Sequence, residues 1–335
     1  MRIVFVTGSY PPDVCGVGDY TSRMVASLEQ LGTDVQVLTG QRWSLFGVSA
    51  VLKKIASYRP DIVHLQYPTF GFGYHLGPQA LATMRPTVVT VHEATQAHIL
   101  RRLSLYGFSV RTQRTVFTTE VERAYAIRWC PWIADRSVVI PIGSNIPISA
   151  MQLNKKSNVV GYFGLIRPQK GLEEVLKLGS LLRSSNSDLR IRIIGKTFVG
   201  LESYYAKLRR ESNDLPIEWF INADDTEVAK LIGSCKFAYL PFPDGASERR
   251  SSLIAMMEAG SCIVTTDGKQ TADFMKSSMR FATGPEEAFQ TINGMRENPE
   301  LCMRLQEDAK KAATRFSWNH IAKTHVDLYR EILKR

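Results

Sequence analysis

Residues 158–171 read NVVGYFGLIRPQKG, and residues 172–184 continue LEEVLKLGSLLRS. The first part holds a short run of Val, Gly, Tyr and Phe, of strand length and largely β-forming composition. Gly, Pro and two cations interrupt it, and the continuation then places Leu and Val at helix spacing. Strand, basic loop and helix form the opening unit of a doubly wound α/β domain. A unit that opens midway along the chain implies a domain before it.

The same order stands at the N-terminus. RIVFVT (2–7) is followed by the loop SYPPDVCGVGDY and by TSRMVASLEQLG, which stops on Gly32. Further strands are expected at 34–39, 61–67, 86–93, 115–119 and 137–142, with helices at 48–58 and 77–84. After the second unit opens, strands are expected at 189–195, 216–221, 237–242 and 262–266, and helices at 201–211, 225–233 and 251–259. Short Val/Ile-rich strands alternating with helices read as parallel sheets covered on both faces. IPISAMQLNKKSN (146–158) loses periodicity and reads as a linker. The expected division is a first domain over 1–150, a linker over 151–157, a second domain over 158–315 and a C-terminal helix over 316–335. In that helix Trp318, Ile321, His325, Leu328 and Ile332 lie near helix spacing. A length of 335 residues agrees with two domains.

Composition excludes several classes. Apolar residues at 44% and charged residues at 22% exclude a disordered, collagenous or coiled-coil chain. The net charge of +10 divides evenly between the two halves, so there is no basic tail, and no nucleic-acid recognition motif accompanies it. Within the first half the excess gathers between Arg101 and Arg136. Arg101, Arg102, Arg111 and Arg114 there fit an anionic membrane surface or acceptor phosphates, and fit a solvated helical face equally well. Five cysteines without a C-x-x-C pair read as a reducing, cytoplasmic home. The apolar run at the N-terminus is too short for a signal segment, and no run of about 18 apolar residues is present to span a bilayer.

In open parallel sheets ligands sit beyond the carboxyl ends of the strands, so the loops there hold the candidate sites. Gly16, Val17 and Gly18 stand between the first strand and first helix, where a helix N-terminus attracts anions; a plain turn fits the local residues equally well. Arg167 and Lys170, with Gly164 and Gly171 on either side, suit a diphosphate. PDGASERRSSL (243–253) offers Glu248, Ser251, Ser252 and Leu253 before a helix, where small hydroxyls also suit capping. His92 and Glu93 end an apolar strand and suit proton or hydroxyl handling, or a structural role. Asp224 and Asp225 precede a helix and read as an N-cap in preference to a metal pair. His64 and His75 lack ligand partners at a metal spacing.

These residues resemble a known family. PPDVCGVGDYTSRMVASLEQLG resembles the opening of retaining GT-B glycosyltransferases of family 4, with Cys15 in place of the first of their two glycines. FGLIRPQKGLEEVL resembles their diphosphate segment, VIPIGSNIP (139–147) the approach to their linker, SLIAMMEAGSCIVTT the helix and strand after their donor loop, and FSWNHIAKTHVDLYREIL their terminal helix.

The resemblance implies two Rossmann-like, doubly wound α/β domains facing each other across a cleft, with the C-terminal helix crossing back to the first. It implies an acceptor-binding first domain and a second domain that binds a nucleotide sugar, with UDP-glucose or a close relative as donor and a saccharide or lipid-linked saccharide as acceptor. Arg167 and Lys170 would hold the diphosphate, with Gly16, Val17 and Gly18 approaching it. His92 would meet the transferred sugar and Glu93 the acceptor. Gly195, Lys196, Ile221 and Asn222 would cradle the base. No metal is expected, and retention follows from same-face attack assisted by the leaving phosphate.

One departure stands out. The family's E-x7-E positions, aligned on Gly260, fall on Ser247 and Ala255; Glu248 comes one residue late and Glu258 points to another helix face. A sugar-nucleotide epimerase and a non-catalytic partner subunit are therefore the alternative classes.

Overall fold

The structure, a computed structural model, describes residues 1–334 except 14, 85, 96–104, 145 and 147–155. It divides into two compact units, Met1–Gly143 with Phe316–Arg335, and Ser144–Arg315.

The first unit holds six parallel strands: β1 (Arg2–Val6), β2 (Asp34–Leu38), β3 (Ile62–Tyr67), β4 (Val88–Val91), β5 (Arg114–Phe117) and β6 (Ser137–Val139). Their order in the sheet is β2-β1-β3-β4-β5-β6. Between them lie α1 (Gly16–Gln30), α2 (Val48–Tyr58), α3 (Gly77–Met84) and α4 (Glu120–Trp129). Every position of β3 and β4 is buried, as expected of central strands in a parallel sheet covered on both faces.

The second unit runs β7 (Ser157–Leu165), α5 (Leu172–Ser184), β8 (Arg190–Lys196), α6 (Glu202–Glu211), β9 (Ile217–Ile221), α7 (Asp225–Ser234), β10 (Cys235–Leu240), α8 (Ser251–Glu258) and β11 (Cys262–Thr265). It continues with α9 (Asp273–Ser278), β12 (Arg280–Phe281), α10 (Pro285–Glu297) and α11 (Pro299–Ala313). Its strands, again all parallel, are ordered β12-β11-β10-β7-β8-β9. Ser144 belongs to this unit and Ile146 packs on its core, so the first unit ends earlier than the loss of periodicity suggests. Asp224 caps α7 by accepting hydrogen bonds from the backbone N–H groups of Thr226 and Glu227, both at 2.9 Å. Cys262 and Cys302 form a disulfide between β11 and α11, a pairing that the reading of a reducing compartment did not include. Cys15, Cys130 and Cys235 are buried thiols.

The last helix, α12 (Trp318–Leu333), belongs to the first unit and packs on α1. Ile321, Val326, Leu328 and Ile332 on its inner face join the core with Ile3, Phe5 and Met24. Each such side chain contributes roughly 1.5–3 kcal/mol. Arg114, read as part of a surface segment open to lipid, acceptor phosphates or solvent, is buried and pairs with Glu331 of α12 at 2.5 Å, because a guanidinium at the start of β5 needs a carboxylate once the helix covers it. It is therefore withdrawn from any surface patch. Arg111 is exposed, with a hydrogen bond to the Thr83 carbonyl, and Arg101 and Arg102 lie outside the described residues.

Beneath α12 is a buried polar chain. His64 Nδ1 is 2.5 Å from the Tyr329 hydroxyl and Nε2 is 2.7 Å from Thr90 Oγ1, while His325 Nδ1 donates to the Ile321 carbonyl at 2.9 Å. Burial holds His64 well below the ordinary imidazole value, with repulsion from His325 and His92 added, and it lowers His325 to about 4. The unfolded chain takes up these protons near 6.5 and the folded chain only much lower. Stability is thus full above pH 6.5 and falls as pH drops towards 4. At pH 5.5 the His325 ring costs about 1 kcal/mol, and His64 acts in the same direction. Urea unfolding is expected to show lower stability at pH 5.5 than at pH 7.5, by at least about 1 kcal/mol from this pair. An unchanged midpoint would mean that the folded protein already accommodates the charged rings.

Candidate functional site

In the second sheet the strand order reverses between β7 and β10, since β8 and β9 lie on one side of β7 and β10 to β12 on the other. A crevice opens at such a point beyond the carboxyl ends of the strands. The loops after β7 (166–171) and after β10 (241–250) border it.

Gly171 joins these two loops. It has φ +75°, and a Cβ there would lie 2.0 Å from the Pro241 carbonyl oxygen, so only glycine permits this backbone approach. The Tyr162 hydroxyl donates to the Lys170 carbonyl at 3.0 Å and fixes the turn from the strand side. Arg167 is exposed and Lys170 half-buried. Burial lowers the Lys170 pKa, and the positive charges of Arg167 and Arg250 lower it further, against a smaller opposing pull from Asp244.

Arg250, which stands with Arg249 beside the two serines and which capping does not explain, was given no role from the sequence. Its guanidinium pairs with Asp244 and lies 4.8 Å from the centre of the Phe242 ring, while its buried Nε has no hydrogen-bond partner. The structure thus brings three cations to one crevice, against repulsion that an anion would relieve. Two adjacent arginines before a helix gave no sign in the sequence of which one turns inward.

Ser251 and Ser252 do not cap α8. The N-cap is Arg250, with no side-chain capping bond, and the two serines are the first residues of the helix. The N–H groups of that first turn have no intrahelical partner. Leu253 is fully buried in the core, so its side chain is unavailable to a ligand and only its backbone N–H remains. Glu248 is half-buried in the preceding loop.

Along the same edge Gly195 pairs with Gly164 in the β7–β8 register, and the Lys196 carbonyl accepts from Ile166 N at 2.9 Å. Lys196 is exposed. Ile221 ends β9, and Asn222, at φ +58°, ties itself to the neighbouring loop: its Oδ1 accepts from Thr197 N and its Nδ2 donates to Thr197 Oγ1, each at 3.1 Å. The Asn222 side chain therefore braces the edge.

Glu258 lies at the far end of α8. Burial raises its carboxyl to about 7, against a weaker pull from a hydrogen bond with Ser144. A cavity of about 670 Å³ is lined by Gln169, Gly171, Pro241, Phe242 and Pro243 of these same two loops and, on its other side, by Glu173, Glu174, Asp267 and Glu287. Its carboxylates suit it poorly to a diphosphate, so the crevice with the three cations is the better anion site.

In the first unit, Gly16, Val17 and Gly18 form the first turn of α1 and not a loop. Gly18 is there for close approach, since a Cβ would meet the Ser9 carbonyl oxygen at 3.0 Å. Two residues later, Tyr20 sets its ring edge-on to His92, with centroids 4.7 Å apart. His92 Nε2 is 2.8 Å from Gln66 Oε1. The structure thus gathers the α1 turn and His92 at one edge of the sheet, with Glu93 next in the chain and half-buried.

Glu122 was also missed. Buried in the first turn of α4, it accepts from Ala94 N at 2.7 Å, Thr95 N at 2.9 Å and Thr95 Oγ1 at 2.7 Å, and so holds the turn that carries His92 and Glu93. In sequence it is one of two acids at a helix start, where acids are ordinary.

Residues 39–146 match the model of Glycosyltransferase Family 4. No curated protein sequence matches the chain. Among solved structures, Alr3699/HepE of Anabaena, in complex with UDP and glucose, is 16% identical over 99% of this chain and 100% of its own, with a TM-score of 0.70. A glycosyltransferase from Rickettsia africae is 15% identical over 100% and 99%, with a TM-score of 0.72. WaaG, a glycosyltransferase involved in lipopolysaccharide biosynthesis, is 14% identical over 98% and 99%, with a TM-score of 0.62. At these identities the structures establish the fold, and the family match is confined to residues 39–146 of the first unit. The chain is built on the GT-B fold, and its residues 39–146 are similar to Glycosyltransferase Family 4.

Proposed function

We propose that the protein transfers a hexose, glucose foremost, from a UDP-sugar to a hydroxyl of a saccharide or lipid-linked saccharide, with retention of configuration. The observation that carries this reading is the crevice holding Arg167, Lys170 and Arg250 against the first turn of α8. In this reading the three cations and the free N–H groups of Ser251, Ser252 and Leu253 neutralise the leaving diphosphate, the task a metal performs in other transferases. The strand ends at Gly195, Lys196 and Ile221 receive the base, with Asn222 bracing them. Glu248 reaches the sugar from the loop before α8.

His92 meets the transferred sugar, held by Gln66 and Tyr20, and Glu93 faces the acceptor. The Gly16–Gly18 turn adds a second helix N-terminus for the donor. With no carboxylate assigned as nucleophile, the acceptor hydroxyl attacks the face that the diphosphate leaves, and a phosphate oxygen takes its proton. A cytoplasmic setting suits nucleotide-sugar chemistry, and among the described residues no helix is long and apolar enough to cross a membrane.

Ser247 and Ala255 at the two family glutamate positions favour one competing reading, a subunit that binds a partner transferase without turnover. Calorimetric titration with UDP, GDP and ADP, with and without EDTA, separates the two when followed by product analysis with the matching sugar nucleotide. The expected result is EDTA-resistant UDP binding, weakened at least about tenfold by Arg167→Ala, and glycosyl transfer from UDP-glucose. Binding of no nucleotide would overturn the proposal. Conversion of the donor without an acceptor would make the protein an epimerase.

A further inference from the structure

The chain leaves the first unit after Gly143 and returns to it at Phe316. The outgoing and returning segments touch. Gly143 is buried, and a Cβ there would lie 2.9 Å from the Phe316 carbonyl oxygen and 2.7 Å from Cε2 of the Trp318 indole, so a residue without a side chain is needed for the approach. Trp318 is the first residue of α12, behind the N-cap Ser317, whose hydroxyl accepts from His320 N. The indole is thus set against the chain at the point where it departs.

From this indole a row of rings runs inward. The Trp318 ring lies 5.3 Å from that of Tyr20, tilted by 57°, and the Tyr20 ring lies 4.7 Å from that of His92, edge-on at 77°. Tyr20 is 5% exposed and its hydroxyl is buried without a hydrogen-bond partner, so what it supplies here is the ring. Edge-on and tilted pairs are directional, and each ring therefore limits the turning of the next. The sheet holds His92 as well: its backbone N–H donates to the Tyr67 carbonyl at 2.8 Å, and its Nε2 is 2.8 Å from Oε1 of the fully buried Gln66.

Anchoring α12 does not require the row. Ile321, Val326, Leu328 and Ile332, further along the helix, supply its buried face, whereas Trp318 is half-buried at the first position.

We propose that Tyr20 and Trp318 are positioning residues for the transfer: they fix the His92 imidazole for the donor sugar and make its orientation depend on the place where the chain passes between the units. The inference rests on the assignment of His92 to the transferred sugar, and both residues act through His92. A torsion at Gly143 or Phe316 moves the indole first, then the Tyr20 ring, then the imidazole, so that closure of the enzyme is felt at His92.

The test measures UDP release from UDP-glucose, with water as acceptor, together with imidazole NMR of the full chain, the His92 signals being assigned by their loss in His92→Gln. In Tyr20→Leu and Trp318→Leu, kcat is expected to fall at least about tenfold, because a small misplacement of a sugar contact is costly. The Kd for UDP, which lacks the sugar, should stay within a factor of about two, and the His92 Cε1–H and Cδ2–H signals should move. Tyr20→Phe returns the ring and should restore kcat and the signals together. Urea unfolding checks that each variant folds, and Trp318→Leu, at a half-buried site, carries the test if Tyr20→Leu does not. Unchanged kcat in both leucine variants overturns the proposal, as do His92 signals that stay in place or a Tyr20→Phe protein as slow as Tyr20→Leu. A wild type that releases no UDP rejects the proposed function instead, and the NMR arm alone then upholds or overturns the hold of the two rings on His92.

Discussion

Lys170→Ala is expected to lower turnover by about two to three orders of magnitude, and Arg250→Met by a comparable factor. The argument is electrostatic. Lys170 is half-buried between two other cations and its pKa is lowered by burial and by Arg167 and Arg250. That arrangement is unfavourable in the free protein and becomes favourable when two phosphates enter, so the binding energy of the site grows with the charge of the ligand. As charge builds on the leaving diphosphate, the contact strengthens, and the loss should fall on kcat more than on KM. UDP titrations at alkaline pH should also show proton uptake, read from buffers of different ionisation enthalpy, because the nucleotide draws the lowered Lys170 pKa back up. Arg250→Met keeps an apolar stem over Phe242 and removes the charge. If both variants keep kcat within a factor of about three, the crevice does not hold the diphosphate.

Gly171→Ala is expected to cost about 2–4 kcal/mol of stability and to abolish nucleotide binding. The added methyl would lie 2.0 Å from the Pro241 carbonyl oxygen, on a backbone already at φ +75°, so the Lys170 loop and the loop after β10 must part. Separating them moves Lys170 away from Arg250 and dissolves the cluster. Gly200→Ala supplies the control, since Gly200 has φ +88° with nothing within 4 Å of an added Cβ. It should show only the local strain of about 1–2 kcal/mol, with UDP binding intact. Urea unfolding and calorimetry on both variants check the pair. A Gly171→Ala protein as stable and as tight for UDP as the wild type would mean that the two loops are not coupled.

Arg167, Lys170 and Gly171 were legible because loop chemistry leaves a local trace: two cations, a proline and a glycine directly after an apolar strand. Helix limits followed for the same reason, with α2 and α5 beginning and ending where periodicity starts and stops. Strand limits shifted by up to three residues, as at β6, which ends at Val139, because hydrogen bonding to a neighbouring strand, and not composition, decides where a strand ends. Glu122 was hidden because its partners are distant in sequence, and Arg250 because its approach to Lys170 depends on strand pairing, its near partners Asp244 and Phe242 giving no sign of it. Lys170 lies 80 positions before Arg250, and Glu122 reaches back to Ala94 and Thr95 across |i−j| of 28 and 27. Arg114 was misread for a related reason, since a helix that begins two hundred residues later covers it.

By itself the sequence determined two successive α/β units, the order of their elements apart from α4, α9 and β12, the basic loop after β7 and the terminal amphipathic helix, since periodicity and turn residues are local properties of the chain. Tertiary structure alone decided which arginine joins Lys170, which serines are left uncapped, which carboxylate holds the His92 turn, that Cys262 meets Cys302, and which apolar residues remain outside. Each of those outcomes depends on long-range pairing of parallel strands. That pairing brings loops together from opposite ends of a unit, and no local pattern records it.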